Sequence, residues 1–220
     1  MKKNNLEKKD SFKLSVLDAA ENIILEEGYQ KLSARKISSR IGCAVGSLYN
    51  AYENLNDIFL RINQRTLKRL HNQFKEYLRN NSADPSESLL GLGNIYMRFW
   101  ESEYQLANLL FNYTQPKEKP LPEWAQNDVD AVFFTIIEMI APVKESLSEE
   151  PETIASVLWA GLHGIATLCF SGKMEVVSSE TPLFLTRSFI QSYFRGAIKT
   201  QVSEKQYALA RTKRITEVYN

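Results

Sequence analysis

The sequence predicts an all-α protein in which a helix-turn-helix near the N-terminus precedes a larger helical domain. Apolar residues recur every three to four positions over long stretches, which places them on one face of a helix. Alternating apolar and polar residues never continue for more than a few positions, so we expect no β-strand. The stretch from Leu32 to Tyr52 reads LSARKISSRIGCAVGSLYNAY and predicts two short helices around Gly42.

The N-terminal end consists of a basic arm and a first helix. Residues 1–10 are polar and lysine-rich without periodicity, which predicts an arm that either contacts phosphates or is disordered. The first helix should begin near Ser11 and end at Glu27, before a glycine suited to a left-handed C-cap. Its expected apolar stripe consists of Leu14, Val16, Leu17, Ala20, Ile23 and Ile24.

Two short helices follow, the first over 33–41 and the second restarting near Ala44. Gly42 permits the left-handed backbone that a turn between them requires. A small shared core is expected from Ile37, Ser38, Ile41, Cys43 and Leu48. The second helix then exposes small, polar and aromatic residues, which a DNA major groove can accept.

The side chains outside this shared core are the predicted DNA contacts. Asn50 can form two hydrogen bonds with adenine, and the hydroxyl of Tyr49 suits a phosphate, unless one of them only packs or caps. Gly46 would let the backbone approach the groove closely. The full predicted set is Ser33, Arg35, Lys36, Ala44, Val45, Gly46, Ser47, Tyr49, Asn50 and Tyr52.

Six further helices are expected, because turn-forming residues separate the remaining apolar stripes. Asp84 as N-cap and Pro85 at the first helical position indicate a sharp helix start, and Pro142 should kink or end a later helix. The expected helices cover 54–80, 84–100, 103–113, 129–143, 151–171 and 183–203, with a proline-rich loop at 115–122. The predicted domains are therefore 1–53 and 54–203, followed by a polar basic tail at 204–220, and the 54–80 helix links the domains.

Composition and charge narrow the functional classes. The 220 residues are 44% hydrophobic and 24% charged, as in ordinary soluble proteins. No apolar run approaches membrane-spanning length and no secretory signal is evident, so we expect a cytoplasmic protein without a membrane partner. Residues 1–70 hold 13 basic and 8 acidic side chains, against 14 and 18 in the remainder, which indicates an anionic partner at the N-terminal end.

The sequence contains no pattern typical of an enzyme. The two cysteines, Cys43 and Cys169, form no metal-ligand spacing with His71 or His163. No phosphate-binding glycine loop and no plausible pair of catalytic carboxylates is present. We therefore expect no catalytic activity, no metal and no cofactor.

The order of these features resembles the TetR family of bacterial transcriptional regulators between Leu17 and Phe59. The resemblance rests on helix one, Gly28-Tyr29, Leu32-Ser33, Ile41-Gly42 and the Gly46-Ser47-Leu48-Tyr49 segment. The later segment LWAGLHG, residues 158–164, is similar to the Trp-His-Gly signature of one TetR C-terminal domain type. The family commonly has serine or threonine at Ala44, phenylalanine at Tyr52 and a phosphate-gripping lysine at Leu55.

This resemblance implies a homodimer that binds a near-palindromic DNA operator. It also implies dimerisation through the helices near 151–171 and 183–203, and a variable ligand-binding domain. Ligand contacts are predicted from an aromatic set with one histidine, although the same residues would also suit a plain helical core. The set is Phe99, Trp100, Tyr104, Phe111, Phe133, Phe134, Trp159 and His163.

We therefore expect a repressor that a small apolar molecule releases from its operator. The alternative is a helical lipid- or acyl-binding protein with a vestigial DNA-binding unit, which Ala44 and Leu55 favour.

Overall fold

The computed structural model describes residues 2–81, 84–116 and 120–198, and in these it contains nine α-helices and no β-strand. The all-α prediction is confirmed. The predicted tail at 204–220 and the end of the last predicted helix lie outside the described residues. The helices are α1 Lys2–Glu27, α2 Ala34–Ile41, α3 Val45–Tyr49, α4 Leu55–Asn80, α5 Pro85–Ser102, α6 Tyr104–Asn112, α7 Glu123–Ile140, α8 Pro151–Phe170 and α9 Pro182–Ala197.

Helix α1 begins at Lys2, so the prediction of a non-helical arm before Ser11 was wrong. Adding residues to an existing helix costs much less than nucleating one, and lysine and glutamate are good helix formers. The predicted stripe is buried except for Leu14, which is 55% exposed. Gly28 follows the helix with a positive φ of 84°, as its position predicted, but its ψ of 155° is not that of the expected left-handed C-cap.

The helix-turn-helix forms where the sequence predicted it. The Ser33 hydroxyl oxygen caps α2 by accepting a hydrogen bond from the Lys36 backbone N–H at 3.3 Å. Gly42 adopts the left-handed conformation, with a φ of 71°. Ile37 and Leu48 are fully buried between α2 and α3, whereas Cys43 is only half-buried instead of completing this core. The glycine turn and the buried pair together fix the position of α3 against α2.

Helix α4 belongs to two hydrophobic cores. Asn54 caps its N-terminus through a 3.0 Å hydrogen bond from the Asp57 backbone N–H to Asn54 Oδ1. Ile58 and Ile62 in its first half pack with α1 and the helix-turn-helix. Leu70 and Phe74 in its second half pack with α5. Helix α4 therefore contributes side chains to the cores of both domains.

The C-terminal helices follow the predicted breaks. Asp84 Oδ1 caps α5, and α7 ends at Ile140 before a 3-10 turn that contains Pro142. Gly161 in α8 allows α9 to approach α8 closely, because a Cβ added at this position would lie 2.1 Å from the ring of Phe189 in α9. Helix α8 is long and apolar enough to cross a membrane by length and composition alone, which the sequence analysis did not anticipate. It nevertheless packs against α5, α7 and α9 within the protein.

Candidate DNA-binding surface and internal cavity

Helices α2 and α3 present one exposed polar surface. Arg35 and Lys36 are exposed on α2, and Tyr49 and Asn50 are exposed at the end of α3. The Tyr49 side chain is 49% exposed although it is a large aromatic group. The Tyr49 ring is therefore accessible at the same surface as Asn50.

The start of α3 is open and uncapped. Ala44 occupies the N-cap position with extended backbone and provides no side-chain hydrogen bond. Gly46 lies in the first turn, and a Cβ added there would meet nothing within 4 Å. Internal packing therefore does not require glycine at this position, although glycine weakens a helix relative to alanine. The open space leaves room for close approach of an external surface.

Ion pairs hold α2 against the end of α1. The guanidinium of Arg40 donates two hydrogen bonds to the Glu26 carboxylate, at 2.9 and 2.7 Å, and the Arg40 hydrogen bond lowers the pKa of Glu26. Lys36 Nζ pairs with Glu27, so this predicted phosphate contact also has a partner within the protein. Among the described residues Arg35 forms no salt bridge, which leaves its charge available at this surface.

Tyr52 is a correction to the predicted DNA contacts. Its side chain is only 6% exposed, and its hydroxyl donates a 2.8 Å hydrogen bond to the backbone carbonyl of Lys13 in α1. Burial raises the pKa of Tyr52 to about 12. The residue therefore joins the helix-turn-helix to α1 instead of facing solvent. Burial of its large aromatic ring is favourable, and the Lys13 carbonyl satisfies its hydroxyl group.

The C-terminal domain contains a cavity of about 270 Å³ between α4, α5, α6, α7, α8 and α9. Its wall is aliphatic and aromatic, and the described lining residues carry only two polar side-chain groups, the Tyr96 hydroxyl and the Trp159 indole N–H. Such a wall favours a mainly hydrocarbon ligand, since desolvating charged groups there is costly. The lining residues are Leu67, Leu70, Phe74, Leu89, Leu92, Gly93, Tyr96, Leu110, Phe111, Val129, Val132, Phe133, Ile136, Leu158, Trp159, Leu162 and Ile190.

Three of the eight predicted ligand residues line this cavity: Phe111, Phe133 and Trp159. Phe99 and Trp100 are instead buried in the helical core, at 2% and 1% exposure. Tyr104 and Phe134 lie on the outside, with 37% and 58% of their surface exposed. Aromatic residues pack equally well in a core, in a cavity wall or across a surface, so residue type alone does not separate these positions.

His163 lies just behind the cavity wall. Its Nδ1 is 3.1 Å from the Tyr96 hydroxyl, and its ring stacks on Trp159 with centroids 5.5 Å apart. Burial lowers the pKa of His163, because desolvation favours the neutral imidazole. The histidine thus orients two lining residues, Tyr96 and Trp159, without lining the cavity itself.

Sequence reasoning missed Tyr96 and the aliphatic part of the wall, which Leu92, Leu158 and Ile190 exemplify. These leucines and isoleucines occupy helical stripes like those of any core residue, so their sequence gives no signal of a cavity. Tyr96 is distinguished only by its hydroxyl, which needs a partner when buried.

Family models match both parts of the chain. A model described as "Bacterial regulatory proteins, tetR family" matches residues 16–62. A second, described as "Tetracyclin repressor-like, C-terminal domain", matches residues 89–187. The chain belongs to the TetR family of transcriptional regulators. Its helix-turn-helix is the DNA-binding domain of that family, whereas the Trp-His-Gly subtype stays a prediction.

Solved structures share the fold at low sequence identity. A protein of unknown function from Rhodococcus sp. RHA1 has a TM-score of 0.72 and 16% identity over 85% of this chain and 95% of its own. Thermus thermophilus FadR, a TetR family transcriptional repressor solved with lauroyl-CoA, has a TM-score of 0.64 and 16% identity over 87% and 97%. The fatty acid degradation regulator FadR from Bacillus halodurans has a TM-score of 0.64 and 18% identity over 81% of this chain and 96% of its own. A comparison with curated proteins finds no significant match.

Proposed function

We propose that this TetR family regulator is a homodimeric repressor that leaves its operator when a small, mainly apolar molecule fills the 270 Å³ cavity. The observation that carries the proposal is the double role of α4. Leu67, Leu70 and Phe74 in this helix line the cavity. Ile58 and Ile62, about two turns earlier, pack in the core of the DNA-binding domain.

A ligand in the cavity would shift the second half of α4 and thereby the position of α3. The ligand changes operator affinity only if it binds the two arrangements with different affinity. The lauroyl-CoA complex of Thermus thermophilus FadR supports a ligand with a hydrocarbon part, as does the apolar wall of this cavity.

The homodimer is inferred from α8 and α9. Only 22% of an apolar 18-residue segment of α8 is buried within one protomer. Val157, Leu168 and Phe184 on these two helices are 38%, 42% and 53% exposed. Pairing the same surface of two copies would bury these residues, and two-fold symmetry matches a palindromic operator. Two recognition helices would then be about 34–36 Å apart, one turn of DNA.

The test begins with selection of binding sites from random duplexes by the purified full-length protein. Fluorescence anisotropy then compares wild type with Asn50→Ala and Tyr49→Phe, and we expect a tenfold or greater loss of affinity for Asn50→Ala. Tyr104→Phe, a matched change at an exposed tyrosine of α6, should leave DNA binding unchanged. Unchanged binding by both α3 variants would exclude α3 as the reading helix.

The alternative is a lipid- or acyl-binding protein with a vestigial DNA-binding unit. It is favoured by the missing side-chain cap at Ala44 and by Leu55, which stands where the family commonly has a lysine. The salt dependence of binding separates the two functions. Contacts between basic side chains and phosphates make the affinity fall steeply with salt, whereas a vestigial unit shows a slope near zero.

A further inference from the structure

Helix α1 continues beyond the core of the DNA-binding domain. Val16 and Ala20 in this helix are fully buried in that core. Residues 7–11 belong to the same helix and are exposed, so they precede the part that packs. Five helical residues span about 7.5 Å, which is more than one turn. The first described side chains of α1 therefore stand on a helical segment that projects past the core.

Two lysines of α1 lie on the side of the helix that enters the core. Lys9 and Lys13 are four positions apart, which is the spacing of one side of an α-helix. The same side continues with Val16 and Ala20, three and seven positions after Lys13. Lys8 is adjacent to Lys9 in the chain and therefore points about 100° away from it. The side of α1 that packs on the helix-turn-helix is thus basic where the core ends.

The chain that leaves α3 holds this part of α1 in place. The hydrogen bond from the Tyr52 hydroxyl ends on the backbone carbonyl of Lys13, at 2.8 Å, and leaves the lysine ammonium free. Tyr49 and Asn50, the predicted DNA contacts, precede Tyr52 by three and two positions. Lys13 therefore lies beside the C-terminal end of α3, and Lys9 lies one turn, about 6 Å, farther along α1. A helix in the major groove has phosphates on both sides, since the groove is only about 12 Å wide.

Other basic side chains of the DNA-binding domain are already paired. Lys36 and Arg40 in α2 each form a salt bridge with a carboxylate at the end of α1. Leu55, where the family commonly has a phosphate-gripping lysine, packs against the core of the domain. Within the described part of the chain, Lys9 and Lys13 form no salt bridge. Their two charges are therefore available to an anionic partner.

We propose that the N-terminal part of α1 is a second DNA-contact element, in which Lys9 and Lys13 each bind a backbone phosphate next to the half-site that α3 reads. This rests on the proposed function, in which α3 binds DNA. Lysine contacts to phosphates carry no sequence information, so the element adds affinity for any duplex. It supplies the phosphate contacts that Leu55 cannot make.

Anisotropy titrations of the full-length protein between about 50 and 200 mM salt test this proposal on the selected operator and on a random duplex. Lys9→Gln and Lys13→Gln should each lower the slope of log affinity against log salt by about 0.9 per protomer, or about 1.8 for a homodimer. Each should weaken binding to both duplexes by the same factor, at least tenfold at the lowest salt. Lys9→Arg keeps the charge and should retain the wild-type slope. Thermal unfolding checks that each variant is folded.

Lys8→Gln is the matched control, because it removes the same charge from the neighbouring position on another side of the helix. It should change the slope by less than half as much as Lys9→Gln. Equal changes in these two variants would overturn the proposal, since they would indicate general attraction without defined contacts. Weaker binding to the operator alone would also overturn it.

The outcomes separate this inference from the proposed function. Wild-type slopes in both Lys9→Gln and Lys13→Gln, with operator binding retained, would overturn the second contact element and leave α3 as the reading helix. A wild-type protein that shows no salt-sensitive DNA binding would overturn both proposals.

Discussion

Replacing Gly46 by alanine should stabilise the protein and at the same time weaken DNA binding. Gly46 lies in the first turn of α3, on the surface formed with α2. A Cβ at this position would meet no atom within 4 Å, so the substitution introduces no clash inside the protein. The same methyl group would stand between the α3 backbone and the floor or wall of a DNA groove.

The two effects have opposite signs and can be estimated. Alanine in a helix is more stable than glycine by about 0.5–1 kcal/mol. For a protein of this size, that raises the melting temperature by about 1–4 °C. A methyl group that prevents close backbone approach should cost at least tenfold in operator affinity, which corresponds to about 1.4 kcal/mol.

Thermal unfolding and anisotropy titration of the selected operator measure both quantities on the same preparations. Gly196→Ala is the control for stability, since a Cβ there also meets nothing within 4 Å. It should raise the melting temperature by a similar amount. Higher stability with unchanged affinity in Gly46→Ala would refute close approach at Gly46, and lower stability would refute the open space around it.

Three further substitutions test the corrected positions and the proposed dimer. Tyr52→Phe should lower the free energy of unfolding by about 1 kcal/mol in urea, through loss of the bond to Lys13. Burial raises the pKa of Tyr52 to about 12, so folding favours the protonated hydroxyl. This stabilisation is complete below about pH 10 and is lost as the pH rises through about 12. Wild type should therefore lose more stability than Tyr52→Phe over this pH range. Val157→Lys should give monomers in analytical ultracentrifugation, because it places a charge in the proposed α8 interface. Leu25→Lys, on the exposed surface of α1, is the control and should remain dimeric. If both variants are dimeric, α8 is not the interface. Gly161→Ala should lower the free energy of unfolding by about 1–3 kcal/mol, because its Cβ would lie 2.1 Å from the Phe189 ring. Gly164→Ala is the control and should not destabilise the protein, since a Cβ there meets nothing within 4 Å. Equal losses of stability in the two variants would contradict the packing of Gly161 against Phe189.

The helices were predictable because their signals are local. Gly42 takes the left-handed turn, and Asp84 with Pro85 starts α5, both as the residue types and spacing predicted. The start of α1 was missed because a polar segment has no periodic pattern, although it extends a helix that buried residues have already formed.

The apolar pattern of a helix did not predict correctly which of its residues are buried at two positions. Leu14 fits the same stripe as Leu17, yet it is exposed because no neighbouring element covers it. Tyr52 belongs to the stretch that reads as DNA-binding, yet its ring turns inward to α1. Both outcomes depend on which helices meet, and spacing along one helix does not contain that information.

The amino-acid sequence by itself determined the all-α class, the helix-turn-helix and the family, because capping residues, glycines and apolar periodicity act within a few residues of each other. Only the tertiary structure decided the rest, namely which aromatic residues surround a cavity and which fill the core. A cavity is formed by side chains from six helices, and its volume depends on small differences in packing that no single stretch of sequence encodes.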